Sequence, residues 1–132
     1  MIHGGRTMAN NICFYEIPGD DPERLQEFYG KIFDWQFDTK MSGYLHVTTD
    51  DGLTGGLPKK STLTPPLGAL GRINYITVDD VDKHCRIIAD AGGKVVLSKR
   101  AVEGHGWYAV ALDPEGNPFG IWKKDQDATN KV

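Results

Sequence analysis

The sequence predicts an α+β fold built from two successive βαβββ modules. Three observations carry this. Runs of β-prone residues and helical stripes alternate in the same order twice, and acidic caps stand before each helix (Asp20-Asp21-Pro22 and Asp79-Asp80). The chain then closes on a strand–turn–strand over 107–122.

Taken in order, residues 1–10 show no periodicity and are expected to form a flexible leader. In the first strand, Ile12, Phe14 and Glu16 alternate with Cys13, Tyr15 and Ile17. Asp21 can cap the free amides of the helix that follows, Pro22 suits its first position, and Glu23 complements its dipole. Leu25, Phe28, Tyr29, Ile32 and Phe33 then recur at helical spacing as one apolar stripe. Trp35 and Phe37 lead into a second strand. The third, 44–48, alternates Tyr44, His46 and Thr48 against Leu45 and Val47, and a short fourth, 53–57, carries Gly55-Gly56. These elements make module one, 11–58. The connector, 59–71, holds Pro65, Pro66, Gly68 and Gly71, which disfavour regular structure. Module two, 72–123, repeats the pattern: a strand over 72–78, a helix with Val81, His84, Cys85 and Ile88 on one face, a stop at Gly92-Gly93, a strand over 95–97 and the closing hairpin. Residues 124–132 read as a polar tail.

Composition narrows the function classes. With 132 residues, 39% hydrophobic and 25% charged, the chain is one ordinary soluble domain. A net charge of −3 gives no reason to expect nucleic acid or a membrane as partner. No apolar run approaches the roughly 20 residues that span a bilayer, and the start has no secretory pattern, so the expected compartment is the cytoplasm. Cys13 and Cys85 lie far apart and make neither a metal pair nor a disulfide framework. No G-x-S-x-G, cysteine–histidine or phosphate-loop pattern is present.

Three segments together resemble one family. They are Asp21-Pro22-Glu23-Arg24 with Phe28-Tyr29, then Val78-Asp79-Asp80-Val81, and finally Asp113-Pro114-Glu115-Gly116-Asn117-Pro118-Phe119-Gly120-Ile121-Trp122. At these separations, inside a βαβββ duplication, they resemble the vicinal oxygen chelate superfamily of glyoxalases, extradiol dioxygenases and bleomycin-resistance proteins. The resemblance spans nearly all of 11–123. It implies a single domain whose two modules form a curved eight-stranded mixed sheet around a cleft, with the helices outside. It also implies a metal centre drawing one ligand from the first strand and one from the last strand of each module. Those places fall here on Phe14, Ile73, the Gly55-Gly56 pair and Gly120, none of which has a side chain able to coordinate a divalent cation. No metal and no other cofactor is therefore expected. The D-P-x-G-x-x-F-G-x-W ending is similar to that of the superfamily's metal-free branch.

On this reading Tyr15 and Ile17 face a helix, and Phe14 and Glu16 face the cleft. Glu16, partly desolvated beside Phe14, and His46 are the candidate catalytic groups. The candidate ligand-binding set is Phe14, Glu16, Tyr44, His46, Tyr75, Thr77, His105 and Trp122, an aromatic wall with few polar groups. The expected function is small-molecule binding without the superfamily metal. The alternatives are a lyase, isomerase or dioxygenase-type enzyme using Glu16 or His46 for proton transfer, and a metal-dependent superfamily enzyme. A homodimer is expected from the resemblance and from Leu63, Leu67 and Leu70 in the connector. Should those leucines tuck back onto their own sheet, a monomer is expected instead.

Overall fold

The computed structural model describes residues 10–41, 44–49 and 52–131. The expected leader, His3 included, lies outside the described residues except for Asn10. Among the described residues, eight strands and two α-helices follow in the order of two βαβββ modules, with a third, one-turn helix in the connector, the mixed-sheet α+β architecture that the sequence predicts. One compact unit is Cys13–Asn74. The other, within the described residues, is 10–12 together with 75–131.

Module one contains β1 (Ile12–Glu16), α1 (Pro22–Ile32), β2 (Gln36–Met41), β3 (Tyr44–Thr48) and β4 (Thr54–Gly56). Its strands lie in the order β2-β3-β4-β1, with β1 and β4 parallel and the other neighbours antiparallel. The helix starts where its caps require: Asp21 accepts the Arg24 amide at 3.2 Å, and Pro22 occupies the first turn. Alternation sends one set of side chains to the helix side. Leu45, Val47 and Leu57 are buried there, and Tyr15, Ile17, Leu25, Trp35 and Phe37 pack against them. The α1 stripe is less buried than its periodicity suggests. Leu25, Tyr29 and Phe33, spaced four apart, lie on the side that meets the module, though Phe33 keeps 48% of its surface exposed, and Phe28 and Ile32 remain 55% and 51% exposed.

The connector is more regular than its prolines suggest. A 3₁₀ turn spans Lys60–Thr62 and a one-turn helix, α2, spans Leu67–Leu70, each closed by short i→i+3 bonds. Leu67 is buried, and Leu63 and Leu70 are half-buried. The three leucines therefore do not make the exposed patch from which self-association is expected.

Module two contains β5 (Ile73–Thr77), α3 (Val81–Asp90), β6 (Lys94–Val102), β7 (Gly106–Leu112) and β8 (Pro118–Lys124), in the order β5-β8-β7-β6, with β5 and β8 parallel. Asp80 caps α3 by accepting the Lys83 amide, which holds its carboxyl below the usual range. Val78, Val81, Ala109 and Ile121 are buried, with Cys85, Ile88, Trp107 and Phe119 packed on them. β6 runs nine residues where the sequence shows a strand only over 95–97. The register shifts between Val95 and Leu97 and again between Leu97 and Arg100, which breaks the alternation a reader would follow. Lys99 there bonds Asp82 of α3 at 2.7 Å and lies over the Trp107 ring.

The polar tail docks onto β6. The Asn130 amide accepts the Ala101 N–H at 2.9 Å and donates to the Ala101 carbonyl at 3.0 Å, imitating a neighbouring strand's peptide unit. Glu103 accepts the Asn130 N–H and the Thr129 hydroxyl, and Ala128 is buried beneath. In the closing turn Asp113 accepts from the Asn117 side chain and from the amides of Asn117 and Glu115, with Gly116 at φ 84°. These donors hold the Glu103 and Asp113 carboxyls below their ordinary values. A folded value lower than the unfolded one stabilises the fold above the unfolded value, and that contribution disappears as pH falls through the folded one. Acid is thus expected to loosen the tail and the hairpin below about pH 4. Thermal melts from pH 7 to pH 2 should show a shallower acid slope for Glu103→Gln with Asp113→Asn than for the parent. Equal slopes would contradict the assignment.

Among the described residues, no helix is long and apolar enough to cross a membrane.

Candidate functional site

The site is built across strands. Register places Glu16 of β1 opposite Gly56 of β4, Gly56 opposite His46 of β3, and His46 opposite Asp38 of β2. Residues directly opposite share a face, so Glu16, His46 and Asp38 form one row on the side away from Tyr15, Val47 and Phe37. Tyr44, two residues before His46 on the same face, reaches across this row. Its hydroxyl donates to Glu16 Oε2 at 2.6 Å. Gly56 makes the crossing possible, because a Cβ there would collide with the Tyr44 ring and hydroxyl. The His46 ring lies between two aromatics, 4.8 Å from the Tyr44 centroid and 6.3 Å from that of Phe14, which meets it edge-on. Phe14, Glu16, Tyr44 and His46, chosen as candidates from the sequence, thus lie together on one face of module one. All four are half-buried.

Module two repeats the geometry with different chemistry. Tyr75 of β5 stands opposite Gly120 of β8, as Glu16 stands opposite Gly56, and Gly120 stands opposite Val110 of β7, as Gly56 stands opposite His46. A Cβ on Gly120 would come within 2.6 Å of the Tyr75 ring. Tyr108, equivalent to Tyr44, meets Tyr75 edge-on at 6.2 Å. The tyrosine–carboxylate bond of module one is therefore replaced by an aromatic pair. Thr77 lies opposite Trp122 on the same face, but its hydroxyl already accepts the Asn11 amide at 3.1 Å. His105 stands apart from the row, exposed in the β6–β7 turn, where its backbone N–H donates to the Val102 carbonyl. His84 sits at the start of α3 beside Asp79 and the Asp80 carbonyl.

The four superfamily metal positions do not fit a cation. Phe14 and Ile73 are apolar, Tyr44 fills the space beside Gly56, and Tyr75 fills the space beside Gly120. No group of three or more His, Cys, Asp or Glu residues among the described residues could hold an ion. Burial pushes the Cys13 and Cys85 thiols up, which disfavours the thiolate that a nucleophile or soft-metal ligand needs. Asp38 and Tyr108 are members of these rows that sequence reasoning missed. Alternation along each strand was readable, but only the pairing register shows which residues stand opposite Glu16 and Tyr75.

Two βαβββ modules, each bringing its first and last strands into parallel register beneath a polar or aromatic face, define a chain of the vicinal-oxygen-chelate type. The family model for the Glyoxalase/Bleomycin resistance protein/Dioxygenase superfamily matches residues 11–121, and the chain belongs to that superfamily. Among curated proteins it is 26% identical over 127 residues to the anthracycline biosynthesis protein DnrV of Streptomyces peucetius, covering 85% of this chain and 46% of that one. The chain thus spans about half the length of the curated relatives it matches. Among solved structures it resembles methylmalonyl-CoA epimerase from Mycobacterium tuberculosis, with TM-score 0.67, 14% identity and coverage of 93% and 94% of the two chains. It also resembles a superfamily member from Vibrio splendidus, with TM-score 0.61, 17% identity and coverage of 85% and 97%. At these identities the solved structures bear on fold alone.

Proposed function

We propose that the chain binds a small organic molecule on the strand face of module one without the superfamily metal. The observation that carries this is the Tyr44–Glu16 hydrogen bond across Gly56, which places a fixed carboxylate beside the aromatic surfaces of Phe14, Tyr44 and His46. A few oriented polar groups among aromatic walls are the usual chemistry of small-molecule recognition. The similarity to anthracycline biosynthesis proteins supports an organic ligand.

Native mass spectrometry of the purified chain against a metabolite mixture tests this. A retained compound should be released by His46→Ala, and weakened about tenfold by Glu16→Gln if the carboxylate accepts a ligand hydrogen bond. Elemental analysis before and after dialysis should find no stoichiometric Zn, Fe, Mn or Ni. One retained ion per chain would restore the metal-dependent reading.

A second reading, proton transfer, is favoured by the row that puts Glu16, His46 and Asp38 on one face. It expects solvent deuterium to enter the retained compound, with exchange lost in Glu16→Gln while binding persists.

Two-fold self-association belongs to the proposal on the resemblance alone. The connector leucines no longer argue for it, and irregular register blunts both β2 and β6, the outermost strands of their modules. Sedimentation at micromolar concentration should give twice 14.6 kDa, and a mass of 14.6 kDa throughout would remove the dimer.

A further inference from the structure

The other face of β1 carries a second feature that the Glu16 row does not use. Tyr15 and Ile17 project there, and with Tyr29, Phe33, Trp35, Thr49, Leu53, Arg72 and Asn74 they line a hollow of about 530 Å³. We propose that this hollow is a separate binding site for a planar aromatic anion of two or three rings. The inference does not depend on the function proposed for the Glu16 face.

Three observations define the ligand class. Ring geometry comes first. Trp35 stacks on Tyr29 at 5.0 Å and 21°, and on Phe33 at 5.2 Å and 28°, while Tyr29 and Phe33 are within 14° of parallel. Such near-parallel rings extend naturally to one more flat ring, and Phe33 keeps 48% of its surface open to receive it. Charge comes second. Among the described residues Arg72 is the only charged residue of the lining, it is exposed, and its side chain has no ion pair or hydrogen bond there. A guanidinium both stacks on aromatic faces and pairs with a carboxylate, sulfonate or phenolate. Size comes third, because the hollow falls within the range that holds drug-sized molecules, on the order of 300–1,000 Å³. Asn74, also exposed at this lining, offers a side-chain amide for orientation.

The test titrates the full chain with 8-anilinonaphthalene-1-sulfonate and with uncharged N-phenyl-1-naphthylamine, read by dye fluorescence. The expected result is one saturable site per chain for the sulfonate. Arg72→Gln should weaken the sulfonate about fivefold and leave the neutral dye within about twofold, as a solvent-facing ion pair predicts. Phe33→Ala removes a half-exposed ring without emptying the core, and should weaken both dyes about tenfold. Glu16→Gln should change neither. The proposal is overturned if sulfonate binding does not saturate, if it ignores both Arg72→Gln and Phe33→Ala, or if Glu16→Gln abolishes it. It is also overturned if neither dye binds and Phe33→Ala instead weakens self-association, which would make the face an interface between copies.

Discussion

Gly120→Glu, which puts a carboxylate at the last-strand place where the family resemblance implies a metal ligand, is expected to destabilise the chain by about 3 kcal/mol or more and to bind no metal. The Tyr75 ring already occupies the space. Its Cδ2 would lie 2.6 Å from a new Cβ, closer than real side chains approach, and both residues are buried. Overpacking of this kind costs about 1–3 kcal/mol, and a carboxylate confined beside a buried ring adds its own desolvation. Gly120→Ala separates the two contributions and should cost about 2 kcal/mol by denaturant unfolding. In a Tyr75→Ala background the same change has room, so the two substitutions should couple by more than about 1 kcal/mol. A Gly120→Ala variant as stable as the parent would mean that Tyr75 does not fill this space. Tyr75 would then not be the group that keeps a metal-ligating side chain out of position 120.

The fold was legible where local chemistry and alternation agree. Asp21 and Asp80 announce their helices because a carboxylate at that position satisfies amides that have no other partner. Tyr44–Thr48 reads as a strand with one apolar and one polar face because Leu45 and Val47 are buried, and Tyr44, His46 and Thr48 are not. Features that depend on distant pairing were not legible. Tyr44 and Glu16 are 28 residues apart in sequence, and only the β3–β4–β1 register brings them together. The docking of Asn130 onto Ala101 spans 29 residues and uses one side-chain amide, which leaves no periodic trace. The length of β6 was hidden because its middle, Ser98-Lys99-Arg100, is exposed and its register slips twice. The α1 stripe shows the opposite error. Its spacing is genuine, yet Phe28 and Ile32 fall outside the line that reaches Trp35.

Gly56→Ala is the corresponding expectation for module one, and it reaches the proposed binding face directly. A methyl group at this position meets the Tyr44 ring and hydroxyl, so the ring must swing away and Glu16 must give up its donor. The steric part should cost about 1–3 kcal/mol, with about 1–2 kcal/mol more for the hydrogen bond to a half-buried carboxylate. Two further variants divide these parts. Tyr44→Phe keeps the ring and removes only the bond, so it should show the smaller loss, and Gly56→Ala should still be costly on top of it. Tyr44→Leu removes the obstructing ring, and in that background Gly56→Ala should be nearly neutral. Double-mutant cycles by denaturant unfolding read all of this without knowledge of the ligand. Compound retention by native mass spectrometry then ties the result to function. If the Tyr44–Glu16 bond fixes the carboxylate for binding, Tyr44→Phe should weaken a retained molecule although no wall of the face has been removed. Were Gly56→Ala to cost the same in the Tyr44→Leu background as in the parent, Tyr44 would not be the group that requires a glycine at position 56. Glu16 would then lack the fixed orientation on which the proposed site rests.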